Sequence, residues 1–112
     1  MFLKRKDKRL STLATAKIDG AFTGEALLKD LSITGCKLEH TMLIDVLEGQ
    51  SYTARIKPEA AANIGEFEIN IEARWVNVGN CACEAGFCVI ESPKGKEFQR
   101  YVDYIDYRSA RK

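Results

Sequence analysis

Two short motifs carry residue types suited to chemistry. The first is Arg5-Lys6-Asp7-Lys8-Arg9, a pair of arginines four positions apart in a basic run. On a helical turn, positions i and i+4 share a face; in an extended segment they share a parity. In either conformation two guanidiniums converge on one target. A guanidinium is a planar fork that grips phosphate bidentately and stacks flat on a nucleobase, which a lysine ammonium does poorly. A run of this kind also reads simply as a solvated terminus.

The second motif is Asp30-x-Ser32-x-x-Gly35. Asp and Ser favour tight turns through side-chain-to-backbone hydrogen bonds. Gly35 permits a positive φ or a close backbone approach. One reading is therefore an ordinary turn. The other is a short polar wall, in which a carboxylate accepts from the N1–H and N2–H₂ of a guanine and a hydroxyl donates to a ring nitrogen, oxygen or phosphate. No catalytic dyad accompanies these motifs. His40 is the one histidine and has no clear nucleophile partner, and the acidic residues of Glu66–Glu72 read as a solvated face. The chain is read as a non-enzyme.

Charge is balanced overall and uneven along the chain. The formal net charge of the 112 residues is +1, yet residues 1–17 carry +5, residues 18–93 carry −7 and residues 94–112 carry +3. A basic arm on an acidic body suits a small anion gripped at one spot. It opposes a nucleic-acid polymer as partner, because phosphate tracking needs a long positive surface. No apolar run reaches the roughly 20 residues of a membrane span, and Met1-Phe2-Leu3 meets Lys4 at once, so no signal peptide is expected. Cys81-Ala82-Cys83 lacks redox-motif spacing, and one histidine gives a zinc site too few ligands. The expectation is a cytoplasmic protein with reduced, mostly buried thiols Cys36, Cys81, Cys83 and Cys88, and with no metal.

The motifs must be held by short strands. Thr12 to Ile18 is rich in Thr and Ala and ends at Asp19-Gly20; Ala21 to about Lys29 follows. Asp-Gly between extended runs predicts a hairpin with a type I′ turn. Cys36 to His40 is a third strand, with Cys36, Leu38 and His40 on one face. Tyr52 to Lys57 is stopped by Pro58, and Ala60–Gly65 connects, with one helical turn. The clearest strand alternates apolar Phe67, Ile69, Ile71, Ala73 and Trp75 with polar Glu66, Glu68, Asn70, Glu72 and Arg74. Its parity assigns Trp75 to the core. Val76 and Val78 fall on the opposite parity, which predicts a bulge or two-sided burial near the strand end. Cys83 to Ile90, containing Gly86, is the last strand.

The tail changes period. Phe98, Tyr101, Val102 and Ile105 follow i, i+3, i+4, i+7, one apolar helical face. Ser92-Pro93 supplies an N-cap and a proline at the first helical position, and Gly95 weakens that first turn. The expected fold is all-β, one domain: a basic arm over residues 1–11, a six-stranded antiparallel β-barrel over 12–91 and a C-terminal α-helix over 93–108.

The two motifs in this order, separated by one hairpin, resemble the PilZ domain family. Ala73-Arg74-Trp75-Val76 looks like that family's long strand, and Glu84-Ala85-Gly86-Phe87-Cys88-Val89 like the strand that follows, though Phe87 directly follows Gly86 here. The resemblance covers essentially the whole chain. It implies a bacterial receptor for cyclic di-GMP, with no other cofactor. By the same resemblance, Arg5 and Arg9 grip phosphates and stack on guanines as the arm orders on binding. Asp30 and Ser32 hydrogen-bond a guanine edge, Gly35 shapes the loop and Trp75 lends a ring to guanine. Lys37, just beyond Gly35, is a further residue that could face the ligand. A domain of this length leaves no room for an output domain, so the signal is expected to pass to a separate effector protein. The alternative is a PilZ-fold adaptor that acts through protein contacts without the nucleotide. Motility, pilus function, exopolysaccharide and virulence are all family outputs, and the sequence selects none.

Overall fold

The computed structural model describes residues 10–91 and 96–110. Arg5, Arg9 and the Ser92-Pro93 helix start lie outside the described residues. Seven strands run in chain order: β1 (Leu10–Ser11), β2 (Thr15–Lys17), β3 (Ala26–Leu31), β4 (Gly35–His40), β5 (Ser51–Lys57), β6 (Phe67–Val78) and β7 (Cys83–Glu91); helix α1 (Glu97–Ala110) closes the chain. The sheet order is β1-β3-β2-β5-β6-β7-β4, and β3 pairs again with β4. Six antiparallel strands thus close into a barrel, as the sequence predicts, with β1 as an extra strand. β1 and β2 lie along one edge of β3, Ser11 opposite Asp30 and Thr15 opposite Leu27. They are two halves of one interrupted strand.

Period-two patterning builds the wall. In β6, Phe67, Ile69, Ile71 and Ala73 are buried while Glu68 and Arg74 are exposed. From the other strands, Leu28, Leu31, Cys36, Leu38, Ile56, Ala85 and Phe87 fill the same interior. Burying a branched aliphatic side chain such as Ile71 contributes roughly 1.5–3 kcal/mol, and the ladders satisfy the backbone groups that burial would otherwise strand. Helix α1 packs on β1 and β6 through the face its period defined: Phe98, Tyr101, Val102 and Ile105 are all buried. Phe67 at the start of β6 meets the Phe98 and Tyr101 rings at 6.0 and 6.1 Å.

The first hairpin departs from expectation. β2 and β3 do pair, but β3 begins at Ala26, so residues 21–25 belong to the connection. At Asp19-Gly20 the Ala21 N–H donates to the Ile18 carbonyl at 3.1 Å. Gly20 has φ 88°, whereas Asp19 is not left-handed. A type I′ turn needs positive φ at both central positions, so this turn is of another type. The chain then makes a detour in which the Asp45 N–H donates to the Ala21 carbonyl at 2.8 Å. After Pro58 a single 3-10 turn, Ala60–Ala62, is closed by Asn63 at φ 56°.

Candidate functional site

The second motif folds as a tight hairpin between β3 and β4. Ser32 N–H donates to the Gly35 carbonyl at 2.8 Å. The Ser32 hydroxyl oxygen accepts from the Thr34 N–H at 3.1 Å and the Gly35 N–H at 3.2 Å. Ser32 is 1% exposed. Its hydroxyl is thus committed to the two-residue loop Ile33-Thr34, as the turn reading of the motif anticipates. Gly35 is not among the positive-φ glycines of the described residues, which are Gly20, Gly24 and Gly49; it pairs with Cys88 on β7.

Asp30 is placed by an irregularity. Leu28 faces inward, so strict alternation would send Asp30 inward too. The β3–β4 register instead slips between Leu28 and Asp30, leaving Lys29 as the extra residue. The bulge restores Leu31 to the core and puts Asp30 on the outer wall, half-buried, opposite Lys37.

The same device operates in β6. Ala73 is buried, and parity assigned Trp75 to the core. The β6–β7 register slips between Ala73 and Trp75, with Arg74 as the extra residue. Trp75 is therefore turned outward and is 40% exposed, which corrects its core assignment. The bulge anticipated from the changed parity of Val76 and Val78 is present; two-sided burial is not, since Val78 is 67% exposed. The indole lies on Gly86. A Cβ at Gly86 would stand 2.2 Å from the indole Nε1, so only glycine leaves room for this ring. Gly86 is buried although its row faces outward. A glycine inside a strand is a known sign of close approach, and that signal was available in the sequence.

These residues form one row. Across the wall Ser11 faces Asp30, Asp30 faces Lys37, Lys37 faces Gly86, and Gly86 faces Trp75. With strands about 4.8 Å apart, the three steps from Asp30 to Trp75 span about 14 Å. The row holds a carboxylate at one end, an ammonium in the middle and a flat indole at the other end. Flanking it are two ion pairs, Lys29–Glu39 at 3.3 Å and Arg74–Glu72 at 3.5 Å. Lys37 has no such pair among the described residues. β1 borders the row beyond Asp30, and Arg9 directly precedes it in sequence. The structure therefore brings Asp30, Lys37 and Trp75 together, with Ser32 and Gly35 shaping the adjacent turn.

Other candidate residues resolve as structural. His40 Nε2 lies 3.1 Å from the Thr23 carbonyl and Nδ1 accepts the Met42 N–H at 2.9 Å, which fits the neutral ring protonated on Nε2. Cys36 and Cys83 are buried, Cys88 half-buried and Cys81 exposed, with no disulfide among them. Among the described residues no cluster of three His, Cys, Asp or Glu could hold a metal, and no helix is long and apolar enough to cross a membrane.

No protein-family model matches the chain, and no curated protein matches it in sequence. Solved structures do match in shape. The chain is similar to the Bacillus subtilis inhibitor of motility MotI (TM-score 0.73, 16% identity, 93% of this chain and 50% of that one). It is similar to the PilZ domain of YcgR from Escherichia coli, solved with c-di-GMP (TM-score 0.67, 14% identity, 93% of this chain and 92% of that one). A third similar structure is MrkH of K. pneumonia in its apo state (TM-score 0.64, 15% identity, 93% of this chain and 52% of that one). The chain thus spans about half of the MotI and MrkH chains and nearly all of the YcgR domain.

Proposed function

The chain has the PilZ fold, and from that premise we propose that it is a receptor for cyclic di-GMP. The observation that carries the reading is the outward row, in which two separate bulges aim Asp30 and Trp75 at the same side of the barrel. Cyclic di-GMP carries two guanines and two phosphates. The Asp30 carboxylate accepts from a guanine N1–H and N2–H₂. The Trp75 indole, backed by Gly86, offers a stacking face to a base. Lys37 between them is a point charge for a phosphate. Arg5 and Arg9, which precede β1 in sequence, supply guanidiniums that clamp phosphate and stack on guanine. Ser32 acts through the hairpin it closes, which fixes β3 and β4 and therefore the spacing of Asp30 and Lys37.

No bond is made or broken in this scheme. The chain works as a binding module whose liganded face is read by an effector protein. Isothermal titration with cyclic di-GMP tests it: saturable binding is expected, and its absence at high micromolar ligand overturns the receptor reading and leaves the adaptor.

A further inference from the structure

Three connections meet at the end of the barrel where β2, β4 and β6 stop: residues 18–25, residues 41–50 and the hairpin 79–82. Single bonds tie them together. His40 stands opposite Cys83, with its ring between the Thr23 carbonyl and the Met42 N–H. The Cys83 Sγ accepts the Ile44 N–H at 3.5 Å. The Ala21 carbonyl accepts the Asp45 N–H at 2.8 Å, and the Tyr52 hydroxyl accepts the Leu47 N–H at 2.9 Å. Residues 41–50 are thus fixed across the barrel end. Ile44 and Val46 are buried there, whereas Met42, Leu43 and Leu47 are between 61% and 66% exposed. Val78, opposite Cys83 on the neighbouring hairpin, is as exposed as they are. An exposed apolar side chain alone needs no explanation; four held at one end of a small barrel make a patch.

The charge around this patch has one sign. The three connections carry Asp19, Glu25, Asp45 and Glu48 and no lysine or arginine. Of the basic residues that flank them, Lys29, Arg55 and Arg74 already answer Glu39, Glu68 and Glu72. An apolar centre with a charged rim is the anatomy of a protein interface, and the sign of the rim selects the occupant. A second copy meeting this end through a two-fold axis would set the same carboxylates against themselves. An anionic lipid surface would be repelled. A segment with apolar and basic side chains on one face satisfies both parts at once. We propose that this end of the barrel docks a partner protein through such a basic amphipathic segment. The surface uses none of Asp30, Lys37 and Trp75, so the proposal holds for a nucleotide receptor and for an adaptor alike.

The test uses a fluorescent synthetic helix of about four turns, with a leucine stripe and lysine elsewhere, and a twin with glutamate for lysine. Anisotropy titration of the full chain should saturate with the lysine helix and not with its twin. Leu43→Ser and Val78→Ser should each weaken binding about tenfold, while thermal unfolding shows a folded protein. Leu13→Ser, at a side chain equally exposed but outside the three connections, should bind as wild type does. The double variant Asp45→Lys, Glu48→Lys should lose the lysine helix and gain the glutamate twin. No saturation with the lysine helix, or equal binding of both helices, overturns the proposal. So does wild-type affinity in both Leu43→Ser and Val78→Ser, which would reduce the contact to diffuse charge. Self-association in sedimentation that Val78→Ser abolishes would give the surface to a second copy and overturn it as well.

Discussion

The barrel has two outer faces that differ in how their strands are laid. On the β2–β5–β6 side both ladders run without a slip. A cleft of about 390 Å³ opens there beside Lys17, Asp19, Tyr52, Thr53 and Arg55. Its polar side chains answer one another: Arg55 with Glu68 at 3.2 Å, Thr53 with Asn70 at 3.0 Å. On the β3–β4–β7–β6 side there is a wall instead, and its ladders slip at Lys29, at Arg74 and at Ile90. The slips at Lys29 and Arg74 each turn out a side chain that alternation would have sent inward. Volume favours the cleft, and chemistry favours the wall. A regular ladder that satisfies its own side chains has little left to offer a ligand. A broken one is where side chains are re-aimed.

The largest expected effect separates the faces directly. Asp30→Ala should cost about 1.5–3 kcal/mol of cyclic di-GMP binding, the range for a lost charge-assisted hydrogen bond. Arg55→Ala on the cleft should leave affinity unchanged. Titration of the two variants side by side would break the comparison if both, or only Arg55→Ala, weakened binding.

Next in size is the indole platform. Trp75→Ala should cost about 1–3 kcal/mol of binding, the usual worth of a base–aromatic stack. Gly86→Ala should do similar damage indirectly. Its new Cβ, 2.2 Å from the indole Nε1, drives the ring off the wall, which intrinsic fluorescence of the single tryptophan would register as changed emission. Unaltered emission together with wild-type affinity in Gly86→Ala would show that the indole–glycine packing is not the working surface.

The smallest effect lies on neither face and serves as a control. The Tyr101 phenol is raised above its ordinary value of 10.0, chiefly by burial and then by Glu59. A raised folded-state value means that its contribution to stability is complete below about pH 10 and is lost as pH climbs towards the folded-state value. Urea midpoints should therefore fall more steeply above about pH 10 in wild type than in Tyr101→Phe. Parallel profiles for the two proteins would remove Tyr101 from the account, and ligand affinity of Tyr101→Phe at neutral pH separates this effect from the site.

Much of the fold can be read in the residues. The alternation of Phe67–Ala73 fixes a strand with one buried side, and the spacing of Phe98, Tyr101, Val102 and Ile105 fixes a helix with one buried stripe, because each period has a single geometric solution. The site is less legible for the same reason. Parity extrapolates correctly only while the register holds, so Trp75 reads as core and Asp30 has no assigned face. The turn at Asp19-Gly20 is visible, yet the detour through residues 21–25 is not, since it depends on a bond from distant Asp45 to Ala21. Ser32 reads as turn or as wall until its hydroxyl is seen to accept both loop N–H groups. Glu59 and Arg108 stand 49 positions apart and carry no local signature that joins them.

The bulges at Lys29 and Arg74 also set what kind of change this chain can absorb. Neither position needs a particular side chain to keep its slip; each contributes one residue of length. Exchanging Arg74 for another residue leaves Trp75 outside, and deleting it would make Trp75 the direct neighbour of inward Ala73, still opposite Gly86 and still outside, in a ladder that alternates without a slip. For related chains, then, neither a substitution nor a one-residue gap at these positions marks the loss of this surface, whereas an added second residue there would turn it inward.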